Sequence, residues 1–234
     1  MISVTGDVHC PIDVHKLNSK SWPEQKSMTR DDYLVVCGDM GIVWSYPDGK
    51  FYNEDKYWQK WFDNRNYTTL FVDGNHENHD MLNSYPVEIW HGGKVHKIAE
   101  NAIHLMRGQV YEINGIKVFT MGGASSHDMH RRTEGKDWWS SELPSNEEYE
   151  EAMRNLEKHN FEVDLIITHC APDFIQRLMS AYYDKDKLTN FLDAFVLENV
   201  KFKLWCFGHY HEDKVISNKY YALYNDIINI DVKL

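Results

Sequence analysis

With 234 residues, 42% of them hydrophobic and 26% charged, the chain has the make-up of a soluble globular protein and the length to bury a substantial core. A net charge of −11, from 36 acidic against 25 basic residues, argues against a generic nucleic-acid coat or an anionic-membrane binder. Both need a basic field, whereas a small anion can still be held by a local positive centre such as a metal. No apolar run approaches the roughly 18 residues that span a bilayer, and a strand-like Ile2–Thr5 stands where a signal peptide would begin, so a cytoplasmic location is expected.

In chain order, Ile2–Thr5 reads as a short strand that runs into Gly6-Asp7-Val8-His9-Cys10-Pro11. Residues 12–30 are polar and weakly helical, broken at Pro23. Residues 33–37 form a continuous apolar run, as expected of a strand buried on both faces, and end at Gly38-Asp39-Met40-Gly41. Residues 53–64 look helical, with Tyr57, Trp58, Trp61 and Phe62 on one apolar face read as core packing rather than a stacking platform. The strand at 69–72 then leads into Asp73-Gly74-Asn75-His76-Glu77. Strand, helix, strand with polar residues after each strand is the signature of a mostly parallel sheet, whose functional crevice lies beyond the carboxyl ends of its strands.

From 86 to 123 short strand-prone runs alternate with turns, and Asn114-Gly115 between two such runs signals a hairpin; a second sheet or a sheet extension is expected. Residues 122–139 form a long polar loop holding His127, Asp128, His130, Arg131 and Arg132. Residues 145–159 make a helix, with Ser145 as N-cap and Glu148 at the third helical position. A buried strand at 164–168 ends at His169-Cys170-Ala171-Pro172, residues 186–199 look helical, and a strand at 202–207 ends at Gly208-His209-Tyr210-His211. The tail, 215–232, reads as two or three strands. No repeat or linker interrupts the chain, which is expected to form a single domain over residues 1–234.

Four cysteines, Cys10, Cys37, Cys170 and Cys206, include no CxxC pair. They are read as reduced, small residues near strand ends rather than as a zinc ribbon or redox pair. Of the thirteen histidines, His15, His79, His91, His96, His104 and His159 lie in segments without other site signals and are read as surface residues.

Five strand ends therefore carry polar residues: Asp7 and His9; Asp39; Asn75 and His76; His169; and His209 with His211. Two carboxylates, an amide oxygen and four imidazoles form a mixed oxygen and nitrogen donor set with no thiolate. It suits Mn²⁺ first, and Fe, Zn²⁺ or Ni²⁺, better than Ca²⁺. Seven donors exceed one tetrahedral ion and suit two, with Asp39, alone on its loop, as the bridge. Such a pair is a device for displacement at phosphorus: it clamps phosphoryl oxygens and turns a bridging water into hydroxide. His76, beside Asn75, is then free to act as general acid or to hold a phosphoryl oxygen. Glu77 is expected to orient a neighbouring histidine or backbone group without touching a metal.

The set GDVH, GDMG, GNHE, THCAP and GHYH, running in order from Asp7 to His211, resembles the calcineurin-like metallophosphoesterase superfamily. The resemblance implies a four-layer α/β/β/α sandwich with two central mixed sheets. It also implies one metal on Asp7, His9, Asp39 and His211 and a second on Asp39, Asn75, His169 and His209. The protein-phosphatase pattern GDxxDRG is not matched: Ile42 and Val43 stand where its second aspartate and its arginine would fall. The better match is a small bacterial-type phosphoesterase, diesterase or monoesterase, acting on a small or nucleotide-like phosphoester rather than a nucleic-acid polymer or a membrane. Arg131 or Arg132, together with His127, is expected to supply the missing substrate-binding cation. The competing reading is a non-catalytic binding scaffold of the same fold.

Overall fold

The computed structural model describes residues 1–231. Its elements are β1 (Ile2–Thr5), β2 (Tyr33–Val36), α1 (Tyr52–Asp63), β3 (Thr68–Phe71), α2 (His79–Asn83), β4 (Val87–Trp90), β5 (Gly93–Ala99), β6 (Ala102–Leu105), β7 (Gln109–Ile113) and β8 (Ile116–Met121). Then come α3 (Asn146–Lys158), β9 (Leu165–Thr168), α4 (Asp173–Met179), α5 (Lys187–Phe191), β10 (Leu204–Phe207), β11 (Lys214–Ile216), β12 (Tyr220–Ala222) and β13 (Ile228–Asn229). A π-helical stretch, Leu192–Leu197, continues α5. Val232, the end of the tail expected to carry strands, lies outside the described residues. No helix among the described residues is long and apolar enough to cross a membrane.

The strands form two mixed sheets. One has the order β13-β1-β2-β3-β6-β5-β4 and the other β11-β12-β10-β9-β8-β7. Each has a parallel centre, β1-β2-β3-β6 in the first and β8-β9-β10-β12 in the second, with antiparallel strands at the edges. The strands around the parallel centres read as unbroken apolar or β-prone runs because both of their faces are covered; β1, β2, β3, β9 and β10 are buried along their whole length.

Alternation decides which residue goes to which layer. Tyr33 and Val35 of β2 pack between the sheets with Leu165 and Ile167 of β9 and Cys206 of β10. Leu34 and Val36 point the other way, into a cluster with Phe62 of α1. On the far side Ile166, Trp205 and Phe207 pack with Tyr149, Ala152 and Leu156 of α3 and Leu188 of α5. A one-residue slip of β2 would exchange its two apolar faces between unlike layers. The result is the α/β/β/α sandwich.

Local signals hold where they are self-contained. Asn114 and Gly115 both have positive φ, 51° and 77°, the geometry a two-residue hairpin demands. Ser145 and Glu148 form a complete capping box on α3. The 86–123 region does both things expected of it: β4–β6 extend the first sheet and β7–β8 start the second. Residues 12–30 hold two short 3₁₀ turns, and Pro23 opens the second, Pro23–Ser27, rather than breaking a helix.

Two readings are corrected. On α1 Phe62 is in the core and the half-buried Trp58 and Trp61 pack against it as expected, but Tyr57 is exposed. The buried face is completed by Asp55 and Gln59, whose side chains hold backbone groups of the 42–45 loop. His79, His96 and His104 are buried, not superficial. His79 and His104 flank Asp73, whose carboxylate lies 3.1 Å from His104 Nε2 and accepts Arg107 Nε at 2.9 Å, and His96 stacks on His104. Burial would raise the Asp73 carboxyl, but the Arg107 guanidinium holds it far below the usual range.

Candidate metal centre

Because β1, β2 and β3 are adjacent and parallel, their following loops emerge at one edge of the first sheet. The loops after β9 and β10 do the same in the second. The face-to-face packing of the sheets brings the two edges together. The first sheet delivers Asp7, His9, Asp39, Asn75 and His76; the second delivers His169, His209 and His211.

The loops are bent sharply to do this. His9, Asp39, His209 and His211 all sit at positive φ, 40°, 50°, 70° and 51°, a region that costs a non-glycine residue on the order of 1–3 kcal/mol and persists only where the surroundings enforce it. Here they do. The Asp39 carbonyl accepts the Val8 and His9 N–H groups at 3.0 and 2.8 Å. The Asp7 carboxylate accepts the His209 N–H at 2.9 Å, and Asp39 Oδ1 accepts the His76 N–H at 2.8 Å. Two motif glycines leave room for a neighbouring loop: a Cβ on Gly38 would stand 2.1 Å from His169 Nδ1, and one on Gly74 would stand 2.0 Å from Asp39 Oδ1.

Asp39 Oδ2 lies between the two contributions, 3.1 Å from His9 Nε2 and 3.4 Å from His169 Nε2. His169 Nδ1 is 2.6 Å from the Cys37 carbonyl. A carbonyl only accepts, so Nδ1 carries the hydrogen and Nε2 is turned toward Asp39 and, at 3.2 Å, toward Asn75 Oδ1. His9 is oriented the same way, its Nδ1 2.8 Å from Asp13 Oδ2. His211 Nε2 is 3.9 Å from Asp7 Oδ1, and the His209 ring lies 5.0 Å from that of His169.

Three sets of side chains have potential ligand atoms within 4.8 Å of one another: Asp7, His9, His211; His9, Asp39, His76; and Asp7, Asp39, His169. Their electrostatics show strong mutual dependence. Burial pushes the Asp7 carboxyl up to about 7, against the pull of His169. Burial would also raise Asp39, yet His169 and His9 hold it well below the ordinary value. Against a burial effect of opposite sign, Asp39 in turn raises His169. Burial lowers His209 and His76. Buried carboxylates and imidazoles that lean on shared protons to this degree are a donor set suited to divalent cations; of the expected histidine and aspartate ligands, the three sets bring together Asp7, His9, Asp39, His169 and His211, with His76 beside them, but not His209.

The expected substrate-binding residues are placed less tightly. His127 is exposed and stacks on His209 at 5.9 Å. Arg132 pairs with Asp128 at 2.7 Å, and its charge reaches His76. Arg131 is exposed on the 3₁₀ turn Met129–Arg131. Glu77 is fully buried and accepts the Met40 N–H at 2.7 Å, so it braces the backbone of the Asp39 loop.

Sequence reasoning missed several supporting residues. Ser126 Oγ accepts Asn75 Nδ2 at 3.2 Å and donates to Glu142 Oε2 at 2.8 Å. Buried Lys16 Nζ donates to the Gly6 and Asp7 carbonyls at 2.6 and 2.7 Å and to that of Tyr224. The Tyr224 ring stacks on His211 at 4.6 Å, and its hydroxyl donates to Asp13 at 3.1 Å. Only Asp13, four residues after His9, carried a local hint. All four cysteines are free thiols.

The family model described as calcineurin-like phosphoesterase matches residues 1–213, a span that includes every strand-end residue of the site. The chain belongs to that family. Among curated proteins, none matches the sequence.

Proposed function

We propose that this member of the family hydrolyses a small or nucleotide-like phosphoester, as a diesterase or a monoesterase, with two divalent ions of which Mn²⁺ is the first choice. Family membership carries metal-dependent phosphoester hydrolysis as the general chemistry; the ligands, the acid and the substrate class are our assignment. Asp7, His9, Asp39 and His211 would hold one ion, and Asp39, Asn75, His169 and His209 the other. The observation that carries this reading is Asp39 Oδ2, within 3.1 Å of a histidine from one sheet and 3.4 Å of a histidine from the other. When bound, such ions neutralise phosphoryl charge and acidify water.

The protein's own groups do the rest. His76 is partly open to solvent, its ring 5.6 Å from that of His9, and its backbone is tied to Asp39. We assign it the proton given to the leaving oxygen as the P–O bond breaks and water's oxygen bonds to phosphorus, a role in which the phosphoester's negative charge offsets the burial that lowers the imidazole's proton affinity in the free protein. His127, which stacks on His209 and lines a separate cavity with it, and Arg132, whose charge reaches His76, are assigned to the phosphoryl oxygens, with Arg131 as an outer cation.

The test is hydrolysis of bis(p-nitrophenyl) phosphate and p-nitrophenyl phosphate by Mn²⁺-loaded protein. Activity should vanish on chelation, return on adding Mn²⁺ back, and track two bound ions per chain. A fully loaded protein that turns over neither substrate, nor a broad nucleotide panel, would overturn the hydrolytic reading in favour of a binding scaffold.

A further inference from the structure

A cavity of about 260 Å³ opens directly beside His9 and His76. One part of its wall is apolar: Pro11, Ile12, Trp44 and Phe51. Another part carries two carboxylates, Glu54 and Asp55, from the first turn of α1. We infer that this cavity receives the leaving group of the substrate, and that the group it fits is a single aromatic ring system bearing hydrogen-bond donors, such as a nucleobase, rather than a chain of further phosphates. The inference rests on the hydrolytic reading for the word leaving; the preference for the ring does not.

Four observations support it. The first is position: His76, assigned to protonate the leaving oxygen, lines the cavity, so the atom it serves and the group attached to that atom fall on the same side of the site. The second is rigidity. Trp44 packs edge-on against Trp139 at 5.6 Å. Its N–H is held by Asp55 Oδ2 at 2.9 Å and its carbonyl accepts Asn78 Nδ2 at 2.9 Å. The ring wall is thus set before any ligand arrives, which lowers the ordering cost of binding.

The third is exposure. Ile12 is 73% and Phe51 45% exposed at the cavity, large apolar surfaces that water solvates poorly and a flat ring would cover. The fourth is charge. The exposed Glu54 carboxylate repels a second phosphate and accepts hydrogen bonds from amino or ring N–H groups, while Asp55, whose Oδ2 already holds the Trp44 and Ser45 N–H groups, fixes the wall. The volume lies just below the range of pockets for drug-sized ligands, enough for one ring system and too little for a polymer segment.

The experiment measures binding, by calorimetry on Mn²⁺-loaded protein, of two non-hydrolysable methylenephosphonates: the analogue of adenosine 5′-monophosphate and that of ribose 5-phosphate. Turnover of p-nitrophenyl phosphate is followed in parallel. The adenosine compound should bind about tenfold or more tightly, the scale of one stacking contact. Phe51→Ala and, independently, Ile12→Ser should shrink that ratio several-fold, with thermal melts showing that both variants fold. Equal affinities in the wild type, or a ratio untouched in both folded variants, would overturn the assignment. A preserved ratio without turnover of any ester would overturn the hydrolytic reading and leave the ring preference standing.

Discussion

Replacing Ser126 with alanine tests how the site is held rather than what it contains. Ser126 is buried, and its hydroxyl accepts Asn75 Nδ2 at 3.2 Å while donating to Glu142 Oε2 at 2.8 Å. An amide has one donor end and one acceptor end, so anchoring Nδ2 on Ser126 turns Oδ1 toward His169 Nε2, 3.2 Å away. Alanine removes two hydrogen bonds and strands one oxygen of a buried carboxylate; the Ser126 N–H still holds the other at 2.7 Å. Two bonds at about 1 kcal/mol each, plus part of a carboxylate desolvation penalty, give a loss of about 2–3 kcal/mol. For a chain of this size that is a melting-point drop of roughly 5–10 °C. Freed to rotate, Asn75 should also cost about 10–100-fold in Mn²⁺ affinity. Thermal melts and Mn²⁺ titration against a competing chelator read the two effects separately. A variant that loses stability but keeps wild-type affinity would refute the positioning argument and leave Ser126 as a packing residue.

His76→Ala should lower kcat by about 10²–10⁴-fold with both ions retained. Because His76 also falls within ligand reach of His9 and Asp39, loss of an ion in that variant, measured by elemental analysis, would reassign it as a ligand. Arg107→Met leaves Asp73 buried without its main counter-charge and should cost about 3–5 kcal/mol in urea unfolding, whereas Arg154→Met, at an exposed pair with Glu150, should cost under about 1 kcal/mol. Burial, reinforced by Arg107, lowers His79 to about 4. It is therefore neutral in the folded state while the unfolded chain takes up a proton below about 6.5. That contribution is complete above pH 6.5 and is lost as pH falls toward 4, about 3 kcal/mol in all. The slope of unfolding free energy against pH in this window should flatten in His79→Gln.

The strand ends were legible because a buried parallel strand writes itself as an unbroken apolar run, and the glycine and polar residues after it mark where the run stops. That was enough to single out Asp7, Asp39, Asn75, His169 and His209 as strand-end residues and to place the first three on one sheet edge; that His169 and His209 come from a second sheet needed the structure. Side chains whose burial depends on a distant partner were not legible. His104 is interior because Asp73, in the loop after β3, meets it. Glu142 reaches Ser126 across a loop with no periodicity to betray it. The buried face of α1 was read incompletely for the same reason: Asp55 and Gln59 look like solvent residues until the backbone they hold at 42–45 is seen. The substrate cations stayed least defined, since a loop arginine such as Arg132 chooses between solvent, Asp128 and a ligand by small margins.

The proposed ion-binding residues are divided between two sheets whose facing layers meet through side chains such as Val35, Ile167 and Cys206. The distance between the layers therefore sets the distance between His9 and His169, and the interior acts as a gauge block for the chemistry above it. Trimming one methylene from that interior, far from any ligand, should cost about 1 kcal/mol of stability and, through the same layers, shift Mn²⁺ affinity measured against a competing chelator. By the same coupling, the protein has limited freedom to evolve a new core without retuning its reaction.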